Sequence, residues 1–135
     1  MATPVTFTRS AVIAGALSGI LSTVHALVTG RDPLEATRAA GTIVFHDHDD
    51  RGLLVAGGLV HGVLTVAWTA VARPLVAGRR HRVAYGAALG LLIGSVDLAI
   101  AEWRYPRVAQ LPTLAQLADH AAFGALVGAT TSTTR

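Results

Sequence analysis

The sequence predicts an all-α fold, a four-transmembrane-helix bundle with a short interfacial helix after the first span. Three observations predict it. Of 135 residues, 52% are hydrophobic and 14% charged, whereas a soluble domain carries about 25% charged residues. Four apolar stretches, at 11–30, 52–72, 83–101 and 112–130, each approach the roughly 20 residues that cross about 30 Å of hydrocarbon. The basic residues, eleven Arg and no Lys, fall mainly between these stretches. Together the stretches leave no room for a separate soluble domain, so residues 1–135 read as one integral membrane domain.

Composition also excludes. No cysteine is present, which removes disulfide scaffolds, zinc ribbons and thiol chemistry. The formal charge of +3 is not arranged as a basic stripe interleaved with aromatics, so nucleic acid is not an expected partner. No phosphate-binding loop, nucleophile elbow or dinucleotide fingerprint occurs.

The first stretch, 11–30, has no charged residue. Arg9 ahead of it, with Val24 and Ala26 near its end, resembles a cleavable signal, but three further apolar stretches favour its retention as a span. The connection that follows opens with Asp32-Pro33-Leu34-Glu35. Asp as N-cap, Pro at the first helical position and an early Glu mark a helix start. That helix is expected over residues 33–45, lying in the interface. The second stretch, 52–72, is uncharged, and residues 73–82 form a tight basic turn containing Pro74 and Gly78. The third, 83–101, contains Asp97, and the connection after it holds Trp103 and Tyr105, aromatics suited to the headgroup level. The fourth, 112–130, is the most polar, with Asp119 and His120 near its start.

Orientation follows from the arginines. Arg9, Arg73, Arg79, Arg80, Arg82 and Arg135 share one side, and Arg31, Arg38, Arg51, Arg104 and Arg107 the other. The cluster in one short turn beside span ends favours the cytoplasm for that turn and for both termini. The expected location is the bacterial plasma membrane, as a multi-pass protein. Arg79, Arg80 and Arg82 are also placed to meet anionic lipid headgroups.

Internal similarity sharpens the picture. An offset of 72 lays Ser18, Ser22 and His25 over Gly90, Gly94 and Asp97, and an offset of 59 lays His61 and Thr65 over His120 and Gly124, as a duplicated helical hairpin would. At about 1.5 Å per residue, His25 and Asp97 lie roughly 6–8 Å below the same boundary, and His61 and His120 roughly 12–14 Å below it. Each span thus places one ionisable side chain in the same half of the bilayer, the outer half in this orientation. Such groups cost at least ~2.5 kcal/mol when they face lipid, so they turn inward and pair. Glycines at four-residue spacing, among them Gly86, Gly90 and Gly94, supply close-packing faces.

The expected polar layer therefore comprises His25, His61, Asp97 and His120, with Asp119 supporting an imidazole. Its chemistry stays open at this point. His25, His61 and His120 suit a divalent metal, and His61 with His120 suits a haem. Asp97 and His120 suit acid–base catalysis on a lipid or isoprenoid, and all four suit proton relay or a hydrophobic ligand. Interhelical hydrogen bonding alone also explains them. Beyond the layer, His46-Asp47-His48-Asp49-Asp50 is a polar turn with cation-collecting character.

Residues 29–41, around Gly30-Arg31-Asp32-Pro33-Leu34-Glu35, and residues 117–128, around Asp119-His120-Ala121-Ala122-Phe123-Gly124, resemble small four-span bacterial membrane proteins of unknown function. The resemblance implies fold and location and no activity. The expected function is a membrane binding or relay module. The alternatives are an acid–base membrane enzyme and a non-catalytic accessory subunit, with a homo-oligomer or a larger membrane complex as the expected assembly.

Overall fold

The computed structural model describes residues 4–46 and 48–131, so Asp47 of the polar turn and Arg135 of the arginine tally lie outside the described residues. All regular structure among the described residues is helical: α1 (Pro4–Ser18), α2 (Ile20–Val28), α3 (Glu35–Gly41), α4 (Asp50–Val76), α5 (Arg82–Arg104), α6 (Pro106–Ala109) and α7 (Thr113–Thr130). Among the described residues, three helical segments are long and apolar enough to cross a membrane: Val5–Val28, Asp50–Val76 and Arg82–Arg104. The fourth expected span, α7, has 18 residues, but Gln116, Asp119 and His120 in its first half keep it out of that set. It packs instead against α1, α2, α4 and α5.

The first span begins earlier than expected, near Val5 rather than residue 11, and is broken at Gly19. Gly19 has ψ of 2°, about 40° from the helical value near −42°, so α2 restarts turned relative to α1. Three donors converge on the Gly19 carbonyl: the Thr23 amide and the Ser22 and Thr23 hydroxyls. The span ends in a Schellman motif. Gly30 takes a left-handed φ of 68°, its N–H donates to the Leu27 carbonyl, and that of Arg31 donates to the Ala26 carbonyl.

The helix after the first span is shorter than the expected 33–45. Asp32 caps its lead-in turn, accepting the Leu34 N–H at 2.8 Å. Beyond Gly41, the amides of residues 42–45 close turns rather than a continued helix. Its seven residues lie antiparallel along α4, because Gly41 and Gly57 let the backbones touch. A Cβ on Gly41 would overlap the Leu53 carbonyl, and one on Gly57 the Thr37 carbonyl.

The same device joins α5 to α7. A Cβ on Gly86 would overlap the Gly124 carbonyl, one on Gly90 the His120 carbonyl, and one on Gly128 the Arg82 carbonyl. Glycine faces of this kind give membrane helices their van der Waals attraction, since lipid provides no hydrophobic drive between them. The two expected hairpins are not packed alike. α4 meets α1 through Gly15 and Thr65, while Gly58 and Gly62 have nothing within 4 Å of an added Cβ.

The basic turn is also shorter than expected. α4 continues through Pro74 to Val76, so Arg73 belongs to the helix and is buried, 6% exposed. Its Nη2 donates to the Thr6 hydroxyl at 3.3 Å, and its guanidinium lies 5.9 Å from the Phe7 ring centre. Its Nε and Nη1 and the Thr69 hydroxyl have no hydrogen-bond partner among the described residues. A small core of Ala14, Ala72, Val76, Phe123 and Val127 lies between the helices, while Val12, Leu27, Leu59, Val63 and Leu92 face outward. Small residues inside and large apolar ones outside is the distribution a bilayer selects.

Candidate functional site

The site is built from the glycine contact between α5 and α7. Because Gly94 has no side chain, the His120 ring lies against it: a Cβ there would stand 2.7 Å from the ring's Cγ. In that position the ring reaches in two directions. Nδ1 is 2.8 Å from the Gln116 carbonyl, one turn earlier on α7, and Nε2 is 3.3 Å from Asp97 Oδ2 on α5. The same carboxylate oxygen accepts the indole N–H of Trp68, on α4, at 3.1 Å. Three helices thus meet at Asp97.

Proton counting follows from these contacts. A carbonyl only accepts, so His120 Nδ1 carries hydrogen and donates to Gln116. Without a further hydrogen, lone pairs on Nε2 and Oδ2 would face each other at 3.3 Å. The contact is a hydrogen bond only with one proton between them, and a pair so protonated is electrically neutral whichever atom holds it.

Asp119 is anchored separately. Because the chain restarts as a helix at Ile20, the Ser22 amide lies in a first turn whose N–H groups have no intrahelical acceptor. That amide donates to Asp119 Oδ1 at 3.0 Å, so a carboxylate meets the positive end of α2. His61 takes a third course, its Nε2 lying 2.9 Å from the Gly15 carbonyl.

His61, Asp97, Asp119 and His120 all line one cavity of about 530 Å³. Its remaining wall is mostly apolar and aromatic, including Trp68, Tyr105, Leu64 and Phe123, and α3 closes part of it with Ala36, Thr37 and Ala40. The Asp97 and His120 side chains keep 26% and 23% of their exposure, so the pair faces the cavity rather than the packed interior. His25 departs from the expected layer. It lines a second cavity of about 280 Å³ with Arg31, Asp32 and Glu35, about one helical turn beyond Ser22, which lines both cavities.

With His25 elsewhere, the expected three-imidazole metal set is not assembled. Among the described residues no three His, Asp or Glu side chains are grouped to hold a metal ion. His61 and His120 also point their Nε2 atoms at different partners, the Gly15 carbonyl and Asp97, which does not fit axial ligation of a haem between them. The polar turn has structural employment: Asp49 caps α4 by accepting the Gly52 N–H at 2.9 Å, Asp50 pairs with Arg38, and His48 stacks on Phe45.

Outside the spans, Glu35 of α3 is gripped in a bidentate pair by Arg107 of α6, at 2.8 and 2.9 Å. The hydrogen bonds from Arg107 hold its carboxyl below the usual range. Asp32 is lowered too, by the Leu34 amide first and then by Arg38.

Sequence reasoning passes over Trp68 and the Ser22 amide. The signal that could have found Trp68 is its place seven residues, about two helical turns, after His61 on the same face of α4. Compared with protein-family models, curated proteins and solved structures, the chain matches none.

Proposed function

We propose that this chain is a membrane-embedded binding protein whose cavity takes an apolar or amphipathic small molecule, with the Asp97–His120 pair as its polar anchor. In this reading α7 is a fourth crossing, which tolerates Asp119 and His120 because they turn inward. Both termini and the arginine turn lie in the cytoplasm of a bacterial cell, Arg79, Arg80 and Arg82 meet anionic headgroups there, and the cavity occupies the outer half of the bilayer.

The observation that carries the reading is the cavity itself: about 530 Å³, within the range of about 300–1,000 Å³ that small-molecule sites occupy. It also has the makeup such sites share, an apolar wall with a few convergent polar groups. Proton relay on its own would not need that volume.

The test is direct. In nanodiscs, the Trp103→Phe variant leaves Trp68 as the sole indole, at the cavity wall. Titrating in 1-adamantanol, a compact neutral cage alcohol, is expected to give a saturable change in Trp68 emission. Ala40→Phe, which fills the cavity from α3, is expected to remove that saturation. An unsaturable response of equal slope in both proteins overturns the proposal.

A further inference from the structure

The chemistry around Asp97 narrows the ligand class, resting on the cavity reading above. The cavity wall includes two carboxylates, Asp97 and Asp119, and two imidazoles, His61 and His120, and no arginine among its residues. In a chain whose eleven basic residues are all Arg, their absence from this wall means an anionic ligand would find no guanidinium to pair with. Asp119 already has the Ser22 amide and the end of α2. What remains at the cavity surface is the neutral Asp97–His120 pair, held together by a single proton.

That proton is exchangeable for a ligand's charge. A buried net charge is costly in a low-dielectric interior, so the pair keeps its own charge balance only if a cation enters as its proton leaves. We infer that the ligand is a protonated lipophilic amine that takes the place of the proton shared by Asp97 and His120. The ammonium N–H groups donate to Asp97 Oδ2 and to the Nε2 lone pair that the departing proton exposes, and the hydrocarbon body fills the apolar wall. His120 keeps its Nδ1 hydrogen on Gln116 throughout. One cation arrives and one proton departs, its bond to Nε2 or Oδ2 breaking as one to a solvent water forms, and no other covalent bond changes.

The groups facing the pair are few. α4 contributes His61, α7 contributes Asp119, and Tyr105 lies just beyond α5. Neither α1, α2, α3 nor α6 adds a titratable side chain to this cavity. Binding therefore has a pH signature of its own: amine affinity rises with pH, by up to about tenfold per unit while the pair still holds its proton.

Three ligands built on one cage isolate charge from shape: 1-adamantylamine, 1-adamantanol and 1-adamantanecarboxylate. An alkylammonium of lysine type stays protonated to about pH 10.4, so between pH 5.5 and 8 only the protein titrates against the amine. Titrated into the Trp103→Phe protein in nanodiscs, the amine is expected to bind at least about tenfold more tightly than the alcohol at pH 8. The carboxylate is expected to bind most weakly, and the alcohol to show no pH dependence. Asp97→Asn, near-isosteric, is expected to erase the preference for the amine over the alcohol. Equal binding of amine and alcohol, or an amine preference that survives in Asp97→Asn, overturns this inference and leaves the cavity reading standing. Failure of all three ligands to bind overturns both. Should Asp97→Asn not fold, the three ligands at two pH values in the parent protein decide alone.

Discussion

Asp97 has polar partners on two other helices, the Trp68 indole, which donates to it, and the His120 imidazole, which shares a proton with it. The indole N–H belongs to a side chain whose ring would pack equally well without it, so Trp68→Phe isolates the hydrogen bond. Interhelical hydrogen bonds inside membranes average about 0.6 kcal/mol and reach about 1.7. The variant is expected to stay folded and to lose stability within that range, read by denaturant titration in mixed micelles. A loss of several kcal/mol would mean that the contact organises the bundle as well as the site. Residue identity alone makes Asp97 and His120 legible, because an ionisable group inside an apolar stretch has to turn inward. It does not disclose Trp68, whose aromatic ring is at home in any membrane helix and whose acceptor lies on a different helix.

At the scale of elements, glycines decide which helices touch. Gly90 faces the His120 backbone, where an added Cβ would overlap a carbonyl, whereas Gly62 on α4 faces open space. Gly90→Leu is expected to destabilise the protein by at least about 1–3 kcal/mol through overpacking and to part His120 from Asp97. Gly62→Leu is expected to fall within about 0.5 kcal/mol of the parent. Unfolding midpoints of the two variants under one set of conditions check the contrast, and equal midpoints would refute it. The four-residue glycine spacing is visible in the sequence, but which ladders are occupied is not, since α4 carries the same motif unfilled. That His61, Asp97 and His120 come close together was legible as well, since counting residues along the helices brings them near one level and all three line one cavity. The cavity that His25 reaches was not: His25 lies about one turn beyond Ser22, at the second cavity.

For the whole molecule, the two glycine-packed pairs, α3 with α4 and α5 with α7, form opposite walls of the cavity. Polar ties brace them: Trp68 to Asp97 between the two pairs, His61 to the Gly15 carbonyl on α1, and Glu35 to Arg107 on α6. The last lies outside the spans and responds to pH. Arg107 lowers the Glu35 carboxyl in the folded state, so its contribution is complete above the unfolded value of about 4.3. That contribution is lost as pH falls through the lower folded value. Thermal midpoints of the parent and Glu35→Gln are expected to differ at pH 6 and to converge as the pH is lowered through the acidic range. A gap that stays constant with pH would show that the pair adds nothing dependent on charge.

The break at Gly19 has a consequence for how this protein is dissected. Asp119 is tethered to a main-chain amide, which every residue but proline supplies. An alanine at Ser22 removes its side-chain contact with Asp119 and leaves this amide bond in place. Only proline at the same place removes the amide donor itself and so cuts this bond.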